Sequence, residues 1–229
     1  MAELLRDSVY RAIREAILSC DFAPGQELRE QTLAEKYHVS RSPVRDSLLR
    51  LEQEKLVTVL PRQGYRVNPI ERRDLEDLFG LRLIISPACA AEAARADDEA
   101  VRTLDRFRTG VEGEITEGTY IGYNRGFHVA VANLVANARL AAVEIALIEE
   151  FDRVVLIGIR AFQYAMIATA VAEHDAIIES IQDHDSAAAS RLVHDHIAGG
   201  RQRILTAFRL DVVNSNQRAE DELQVDNST

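Results

Sequence analysis

The sequence predicts a mostly α-helical protein with a small amount of β-structure near its N-terminus. Apolar residues recur at three- and four-residue spacing along most of the chain, and the two-residue period of strands is confined to residues 56–67. The hydrophobic fraction of 47% suffices for a packed core. The 2 cysteines are too few for a disulfide framework, which favours a reducing, cytoplasmic setting.

Charge patterning argues against secretion and membrane insertion. The N-terminus mixes acidic and basic residues where a signal peptide would need a basic start and an apolar run. The most apolar region, residues 140–162, is interrupted by charged side chains, so we expect no membrane span. The formal net charge is −10, yet residues 1–70 hold 11 basic and 10 acidic side chains, against 16 and 27 in the remainder. The N-terminal part is therefore free to approach phosphate.

Three amphipathic helices are predicted before residue 55. Their apolar stripes recur at helical spacing, and turn-forming sequences separate them. The expected spans are 7–20, 29–37 and 41–54. Ser40 or Ser42 is expected to cap the third helix, and Pro43 suits its first turn, where a missing N–H costs nothing.

A change of period follows at residue 56. Residues 56–60 and 65–67 are predicted to form two short strands around a turn that contains Gly64. Three helices followed by a hairpin make a winged helix-turn-helix, whose third helix enters the major groove of DNA. We therefore predict a winged helix-turn-helix DNA-binding domain over residues 1–70.

The third helix carries the residues that we expect to read DNA. Arg41 and Arg45 are four residues apart, so they share one helix face, away from the apolar stripe. Arginines at this end of such a helix bind guanine O6 and N7, whereas the neighbouring serines suit phosphate oxygens. Solvated arginines are the alternative, which we prefer for Arg50 and Arg66. The predicted DNA-binding set is Ser40, Arg41, Ser42, Arg45, Arg62, Gln63 and Gly64.

The same stretch matches a known family. The run Val39-Ser40-Arg41-Ser42-Pro43-Val44-Arg45, with Gly64-Tyr65-Arg66-Val67 after it, resembles the head of GntR-type transcription regulators. The resemblance covers nearly all of residues 5–70. It implies that Arg41 and Arg45 read bases and that the wing around Gly64 touches the minor groove. Some relatives have a further arginine in the second helix, where this chain has Gln31.

Beyond Asp74 only helical patterns occur, which predicts an all-helical C-terminal bundle over residues 71–213. The expected helices are 74–96, with a kink at Pro87, then 98–116, 118–136, 139–163, 166–183 and 186–212. The chain is polar after about Asn214, so residues 214–229 are predicted to be a disordered tail.

Three of the 6 histidines are predicted to meet inside this bundle. His174 and His196 each lie about 11 residues from a helix break near Asp185, so an antiparallel hairpin brings them to one level. His128 lies at a similar distance from its own break. Imidazoles at matched depth on facing helices suit a divalent metal, although hydrogen-bonded histidines without metal remain the alternative. The histidines expected at the surface are His38, His184 and His194.

The histidine pattern resembles the FCD ligand-binding domain of the FadR-like branch of GntR regulators. The likeness spans about residues 72–212. It implies a divalent metal, zinc in the first place with nickel or manganese as alternatives. The implied ligands are Asn124, His128, His174 and His196. Arg82 matches an arginine that is thought to bind an effector carboxylate; relatives usually have a glutamate four residues later, where this chain has Ser86.

These ligand types predict an anionic effector. With Asn124 in place of an aspartate, all the protein ligands are neutral, and a bound Zn²⁺ would keep its whole +2 charge. Burying that charge without compensation is costly. We therefore expect a small carboxylate to complete the coordination, with Arg82 at its far end.

The sequence thus predicts a homodimeric transcriptional repressor that binds a pseudo-palindromic operator, with the acid altering operator binding. Release of DNA is the commoner behaviour in the branch that the chain resembles, and promotion of binding is the alternative. Two alternatives stay open. A metal-dependent hydrolase with a DNA-binding head would need a general base, and Glu173 beside His174 is the adjacent candidate. A metal-free sensor would hold the acid by Arg82 and polar residues alone.

Overall fold

A computed structural model describes the backbone of residues 2–162 and 165–226, and the side chains of residues 5–160, 162 and 166–207. The chain divides into two compact units, Met1–Glu71 and Arg72–Thr229. The division lies one residue from the boundary expected from the sequence. None of the helices in the described ranges combines the length and the apolar character needed to cross a membrane.

The first unit is a winged helix-turn-helix. Its elements are α1 (Ala2–Leu18), β1 (Glu27–Leu28), α2 (Glu30–Lys36), α3 (Arg41–Gln53), β2 (Val57–Leu60) and β3 (Gly64–Val67). The strands form an antiparallel sheet in the order β1-β3-β2, with Val59 opposite Tyr65. Ile13 and Ile17 of α1 pack into one core with Val44 and Leu48 of α3, as the apolar stripes predict. The sequence did not predict β1, because a strand of two residues is too short to show an alternation of apolar and polar positions.

The wing depends on a glycine at the start of β3. Gly64 has φ +113°, and a Cβ at this position would lie 2.5 Å from the carbonyl oxygen of Leu28 in β1. Any side chain would therefore collide with the backbone of the neighbouring strand. The Gly64 predicted from turn chemistry is needed for the close approach of the two strands.

The second unit is helical, in agreement with the predicted bundle. Its elements are α4 (Arg72–Ala93), α5 (Asp98–Arg102), a 3₁₀ helix (Thr103–Phe107), α6 (Glu117–Asn133), α7 (Ala138–Phe162), α8 (Ala165–Gln182) and α9 (Ser186–Asp226). Helix α4 runs through Pro87 and packs against α9 and α7, while α6 packs on α7 and α8 packs on α9. Arg82, Asn124, His128, His174 and His196 are all buried within this unit.

Two predicted spans differ from the structure. The expected helix over 98–116 is replaced by α5, the 3₁₀ helix and a loop, because Gly110 and Gly113 have φ of +72° and +78°. These left-handed conformations end helices. The polar segment predicted as a tail over 214–229 is helical as far as Asp226, and residues 227–229 lie outside the described ranges. A uniformly polar helix has no apolar period by which to predict it.

Candidate nucleic-acid interface and metal centre

Helix α3 presents the predicted DNA-reading arginines to solvent. Arg41 and Arg45 are exposed, whereas Val44 and Leu48, on the other side of the helix, are completely buried. Ser40 occupies the N-cap position without a side-chain capping bond, so its hydroxyl is not occupied by the helix. Ser42 is exposed in the first turn. This is the arrangement that a groove-reading helix needs.

Both arginines are held by side chains of α2. Arg45 donates two hydrogen bonds to Glu30, each 2.7 Å long, and the Arg41 Nε donates to the Gln31 Oε1 at 2.5 Å. The hydrogen bond from Arg45 lowers the pKa of Glu30. Gln31, which stands where some relatives have an arginine, therefore supports Arg41 from the neighbouring helix. These contacts restrict the rotamers of two long side chains before DNA arrives.

The wing tip carries the remaining predicted DNA-contacting residues. Arg62 and Gln63 are exposed in the turn between β2 and β3, and Arg62 has φ +65°. The backbone N–H of Gln63 donates to the Leu60 carbonyl at 3.0 Å and closes the turn. Both side chains project from a short, hydrogen-bonded turn beside Gly64.

In the second unit, three histidines from three helices converge. His128 of α6, His174 of α8 and His196 of α9 are buried, and each offers a ring nitrogen such that the three atoms lie within 4.8 Å of one another. The Nε2 atoms of His174 and His196 are 3.4 Å apart. Metal–imidazole bonds of about 2.0–2.1 Å allow two ligand nitrogens to lie at most about 4.2 Å apart. The 3.4 Å pair already fits one ion, whereas a pair as wide as 4.8 Å would have to close by roughly 0.6 Å on metal binding.

The outer nitrogens of two of these rings are occupied. His174 Nδ1 lies 3.2 Å from the Tyr123 hydroxyl, and His196 Nδ1 lies 2.6 Å from Glu173 Oε2. Such contacts direct the Nε2 atoms toward the cluster and fix the ring orientations. The Nε2 of His128 is buried and has no hydrogen-bond partner among the described residues. Burial lowers the pKa of all three imidazoles, which keeps them in the neutral form that metals bind.

A pocket opens beside the cluster, with about 430 Å³ of space between its atoms, part of it open to solvent. Its polar lining residues are Arg82, Tyr120, Asn124, His128, His196 and Arg203. The cavity also has apolar walls, which include Phe151, Val155 and Ile204. Asn124 is buried one helical turn before His128 and lines the same pocket, and its side-chain amide carries an oxygen of the kind that metals bind. Three neutral imidazoles, one of them with an unpartnered nitrogen, and a nearby amide fit a divalent metal.

Arg82 is the least compensated charge that we find in this cavity. Its side chain is buried, and its Nε and one Nη have no hydrogen-bond partner within the described part of the chain. The guanidinium stacks 4.3 Å from the centre of the Phe151 ring. Burial lowers the pKa of Arg82 to about 10, while the nearby Glu144 opposes this shift. The group remains a cation at neutral pH, so it favours an anion in the cavity.

The comparisons with known proteins identify a family for each of the two units. The family model described as bacterial regulatory proteins, gntR family, matches residues 5–67, and the FCD domain matches residues 77–199, more than half of the chain. The chain belongs to the GntR family. Its N-terminal unit carries the gntR-type head and its C-terminal unit is an FCD domain, as the resemblance implied.

Curated relatives of this GntR regulator carry related names. An uncharacterized HTH-type transcriptional regulator of Streptomyces ambofaciens is 28% identical over 77% of this chain and 75% of its own length. The regulator YdhC of Bacillus subtilis is 26% identical over 57% of this chain, and the match spans 61% of the relative's length. The HTH-type transcriptional repressor RspR of Escherichia coli is 32% identical over 39% of this chain and 40% of its own length. These relatives are regulators rather than enzymes.

Solved structures share the fold. Escherichia coli McbR/YncC superposes with a TM-score of 0.75 at 18% identity, covering 90% of this chain and 98% of that one. A GntR-type protein of Rhodococcus sp. RHA1 gives a TM-score of 0.71 at 22% identity, covering 88% and 98%. At these identities the likeness concerns the fold alone.

Sequence reasoning missed several residues around the GntR regulator's two sites. Glu30 and Glu144 were not singled out, and Glu173 was considered only as a general base. The Ser86 hydroxyl donates to Glu144 of α7 at 2.8 Å, so a carboxylate from another helix lies near Arg82 despite the missing glutamate in α4. One signal was available: Glu144 interrupts the most apolar helix, and a carboxylate there is buried only with a partner.

Proposed function

We propose that this GntR-family chain is a homodimeric, acid-responsive repressor whose FCD domain binds a divalent metal, zinc in the first place, together with a small carboxylate. Acid binding releases the operator. The names of relatives such as the repressor RspR suggest repression. Since those matches cover only part of each protein, repression is a proposal for this chain. One observation carries the sensing role: the buried Arg82 guanidinium, without a hydrogen-bond partner in the described part, lines the same cavity as His128 and His196.

DNA recognition is assigned to α3 and the wing. Arg41 and Arg45 would exchange their contacts with Gln31 and Glu30 for guanine edges in the major groove. The positive N-terminus of α3, with Ser40 and Ser42, suits a phosphate. In a dimer, two such helices bind half-sites one helical turn apart, about 10–10.5 base pairs from centre to centre. We therefore expect a pseudo-palindromic operator.

Asn124, His128, His174 and His196 would hold the metal. When bound, a divalent cation supplies a Lewis-acidic centre of charge +2 to which an effector carboxylate can coordinate. Tyr123 and Glu173 orient two of the imidazoles from behind. Arg82 binds the effector's anionic group, and the surrounding apolar walls exclude water, which strengthens that ion pair.

Release of DNA requires the acid to bind one conformational state of the regulator more tightly than the other. The operator-bound state must have a lower affinity for the acid by the same factor by which the acid weakens DNA binding. We propose that closing of the FCD helices around the acid and metal favours the state whose heads no longer fit the operator spacing.

The decisive experiment compares His174→Ala with the parent protein. A thermal-shift screen of hydroxy acids and dicarboxylates first identifies the acid that most raises the Tm of the Zn²⁺-loaded protein. Fluorescence anisotropy then follows release of the chain's own promoter DNA as this acid is added. Because His174 is a proposed ligand, we expect His174→Ala to bind DNA like the parent but to require at least about 10-fold more acid for release.

His194→Ala is the matched control, since His194 lies on α9 with an exposed side chain. It should respond to acid like the parent. Unchanged release by His174→Ala would support the metal-free sensor instead. Failure of the parent to bind promoter DNA at all would contradict the proposed regulator.

The hydrolase alternative is set aside. The relatives are transcriptional regulators, and the carboxylate of Glu173 is engaged by His196 Nδ1 at 2.6 Å and by Arg203 at 3.6 Å. A general base must reach the proton that it abstracts, whereas this carboxylate lies behind a proposed ligand.

A further inference from the structure

The cavity holds a second arginine, Arg203 of α9, which is only partly neutralised. Its Nη2 lies 3.6 Å from Glu173 Oε2, and this carboxylate is shared with His196 Nδ1 at 2.6 Å. The Arg203 Nε is buried and has no hydrogen-bond partner within the described residues. Arg203 is therefore a donor with spare capacity at the wall of the proposed effector site.

Arg82 and Arg203 approach the cavity from different helices. Arg82 extends from α4, and its positive charge acts on all three histidines. Arg203 extends from α9, and its positive charge acts on His196 and Tyr120. Helices α4 and α9 pack directly on each other, so the two guanidiniums reach one chamber from two walls. A single carboxylate has two oxygens, which accept the two parallel N–H hydrogen bonds of one guanidinium.

The charge balance requires more than one negative group. Glu144 accepts hydrogen bonds from Ser86 and offsets the charge of Arg82 from nearby without a hydrogen bond to it. Glu173, which is shared by His196 and Arg203, offsets the charge of Arg203. A divalent ion among neutral ligands would add two further positive charges. A monocarboxylate would leave much of this charge uncompensated in a largely buried space, which is unfavourable.

We propose that the effector is a small dicarboxylate, with one carboxylate bound by Arg82 and the other by Arg203. The apolar side chains of Val155, Ile197 and Ile204 line the cavity as well and suit a short alkyl linker. This inference rests on the proposed carboxylate-sensing function and adds the number of charges and the second binding residue. Arg203 becomes the residue that separates diacids from monoacids.

The test measures the affinity of matched acids by isothermal titration calorimetry into the Zn²⁺-loaded full chain. The pairs are butyrate and succinate, pentanoate and glutarate, and hexanoate and adipate, which differ only in the second carboxylate. We expect the best diacid to bind at least about 10-fold more tightly than its monoacid, because it gains a charge-assisted hydrogen bond. In Arg203→Gln this preference should fall below about threefold while the monoacid affinity is unchanged.

Arg201→Gln is the control, since Arg201 lies two residues away on α9 and is not part of the cavity lining. It should keep the diacid preference. Thermal melting and zinc affinity without acid check that Arg203→Gln folds and retains the ligand set. A diacid preference that survives in Arg203→Gln, or equal binding of mono- and diacids by the parent, would overturn the inference and leave the proposed function standing. Binding of neither acid type would overturn both.

Discussion

The two units of this regulator use arginine in opposite ways. In the head, Arg41 and Arg45 are exposed, and each is held by a side chain of α2. In the FCD domain, Arg82 is buried and its Nε and one Nη donate no hydrogen bond to the described residues, and burial lowers its pKa to about 10. Surface arginines exchange one partner for another with little change in free energy. A buried, unpaired guanidinium destabilises the protein until an anion arrives.

This difference matches the two kinds of recognition that we propose for the chain. DNA is a polyanion outside the protein, so its readers must be accessible and restricted in rotamer, and Glu30 and Gln31 provide that restriction. A small acid must be taken out of water, so its receptor gains from a desolvated cation that has no internal partner. The same side chain is thus suited to each ligand by its burial and its neighbours.

The largest expected effect is loss of operator binding in the double variant Arg41→Ala/Arg45→Ala. Each bidentate contact to guanine contributes about 1–3 kcal/mol, so the loss should reach about 100-fold or more in Kd. The free energy of unfolding should change by less than about 0.5 kcal/mol, because both side chains are exposed. Electrophoretic mobility shift and urea unfolding measure the two quantities.

Arg11→Ala/Arg73→Ala removes the same charge from exposed positions on α1 and α4 and is the control. This variant should lose much less affinity, through non-specific attraction alone. Equal losses in the two double variants would show that α3 supplies only general positive charge and would remove the distinction between the arginines.

The next effect concerns Arg82→Met, which keeps the volume and removes the buried charge. We expect binding of the acid to the Zn²⁺-loaded protein to weaken by about 10- to 100-fold, measured by calorimetry. The acid-free protein should unfold with an unchanged or higher free energy, by about 1 kcal/mol, because an uncompensated cation is gone. A clear loss of stability without acid would mean that Arg82 is satisfied internally, and the comparison with the head would fail.

How much the sequence could predict differs between the units for a physical reason. The head is a local motif, so the spacing of Arg41 and Arg45 and the need for glycine at Gly64 are visible in consecutive residues. The histidine cluster was also predictable, because His174 and His196 flank one hairpin at equal distances. Contacts between helices that are distant in sequence, such as Ser86 with Glu144, have no such local rule.

The polar residues behind the site illustrate the same limit. Tyr123 and Glu173 orient imidazoles, and Glu30 holds Arg45, yet each is an ordinary residue on its own helix. Their roles arise from the rotation of one helix against another, which apolar periodicity fixes only to within about a residue. Likewise, the break after the 3₁₀ helix depends on Gly110 and Gly113 adopting positive φ, which glycine permits without requiring.

A smaller effect is expected when the buried site receives its own negative charge. Asn124→Asp adds a carboxylate beside His128 and should raise zinc affinity by about 10-fold in the absence of acid, because an anionic ligand compensates the metal. The factor by which the acid raises zinc affinity should fall by a similar amount. Competition with a zinc-chelating dye measures both values, and Asn133→Asp, exposed at the end of the same helix, is the control. An unchanged zinc affinity would argue against Asn124 as a ligand.

The smallest expected effect concerns an exposed ion pair of the FCD domain, between His184 and Asp98. Because the pair is exposed, it should contribute little to stability, like the exposed arginine contacts of the head. His184 Nε2 lies 2.9 Å from Asp98, and its Nδ1 lies 2.9 Å from the Ala94 carbonyl. The hydrogen bond to Asp98 raises the pKa of His184, with the backbone contact and nearby Asp183 adding to it, and the same bond lowers the pKa of Asp98. Stability from the raised histidine is fully present below its unfolded pKa of about 6.5 and is lost as pH rises through the folded value.

Stability from the lowered aspartate is present above its unfolded pKa of about 3.9 and is lost as pH falls through the folded value. The two conditions are both fully met between about pH 4 and 6.5, so the parent should exceed Asp98→Asn in free energy of unfolding most in that window. The advantage should fade as pH rises through the raised folded pKa of His184. Urea unfolding at pH 5.5 and pH 8.5 measures the difference. Glu112→Gln is the control, because it removes an exposed carboxylate that is not among the groups acting on His184. A difference that persists at pH 8.5 would mean that Asp98 acts through the first turn of α5, where it follows the N-cap Asp97, or through Arg102 at 4.0 Å, and not through the histidine.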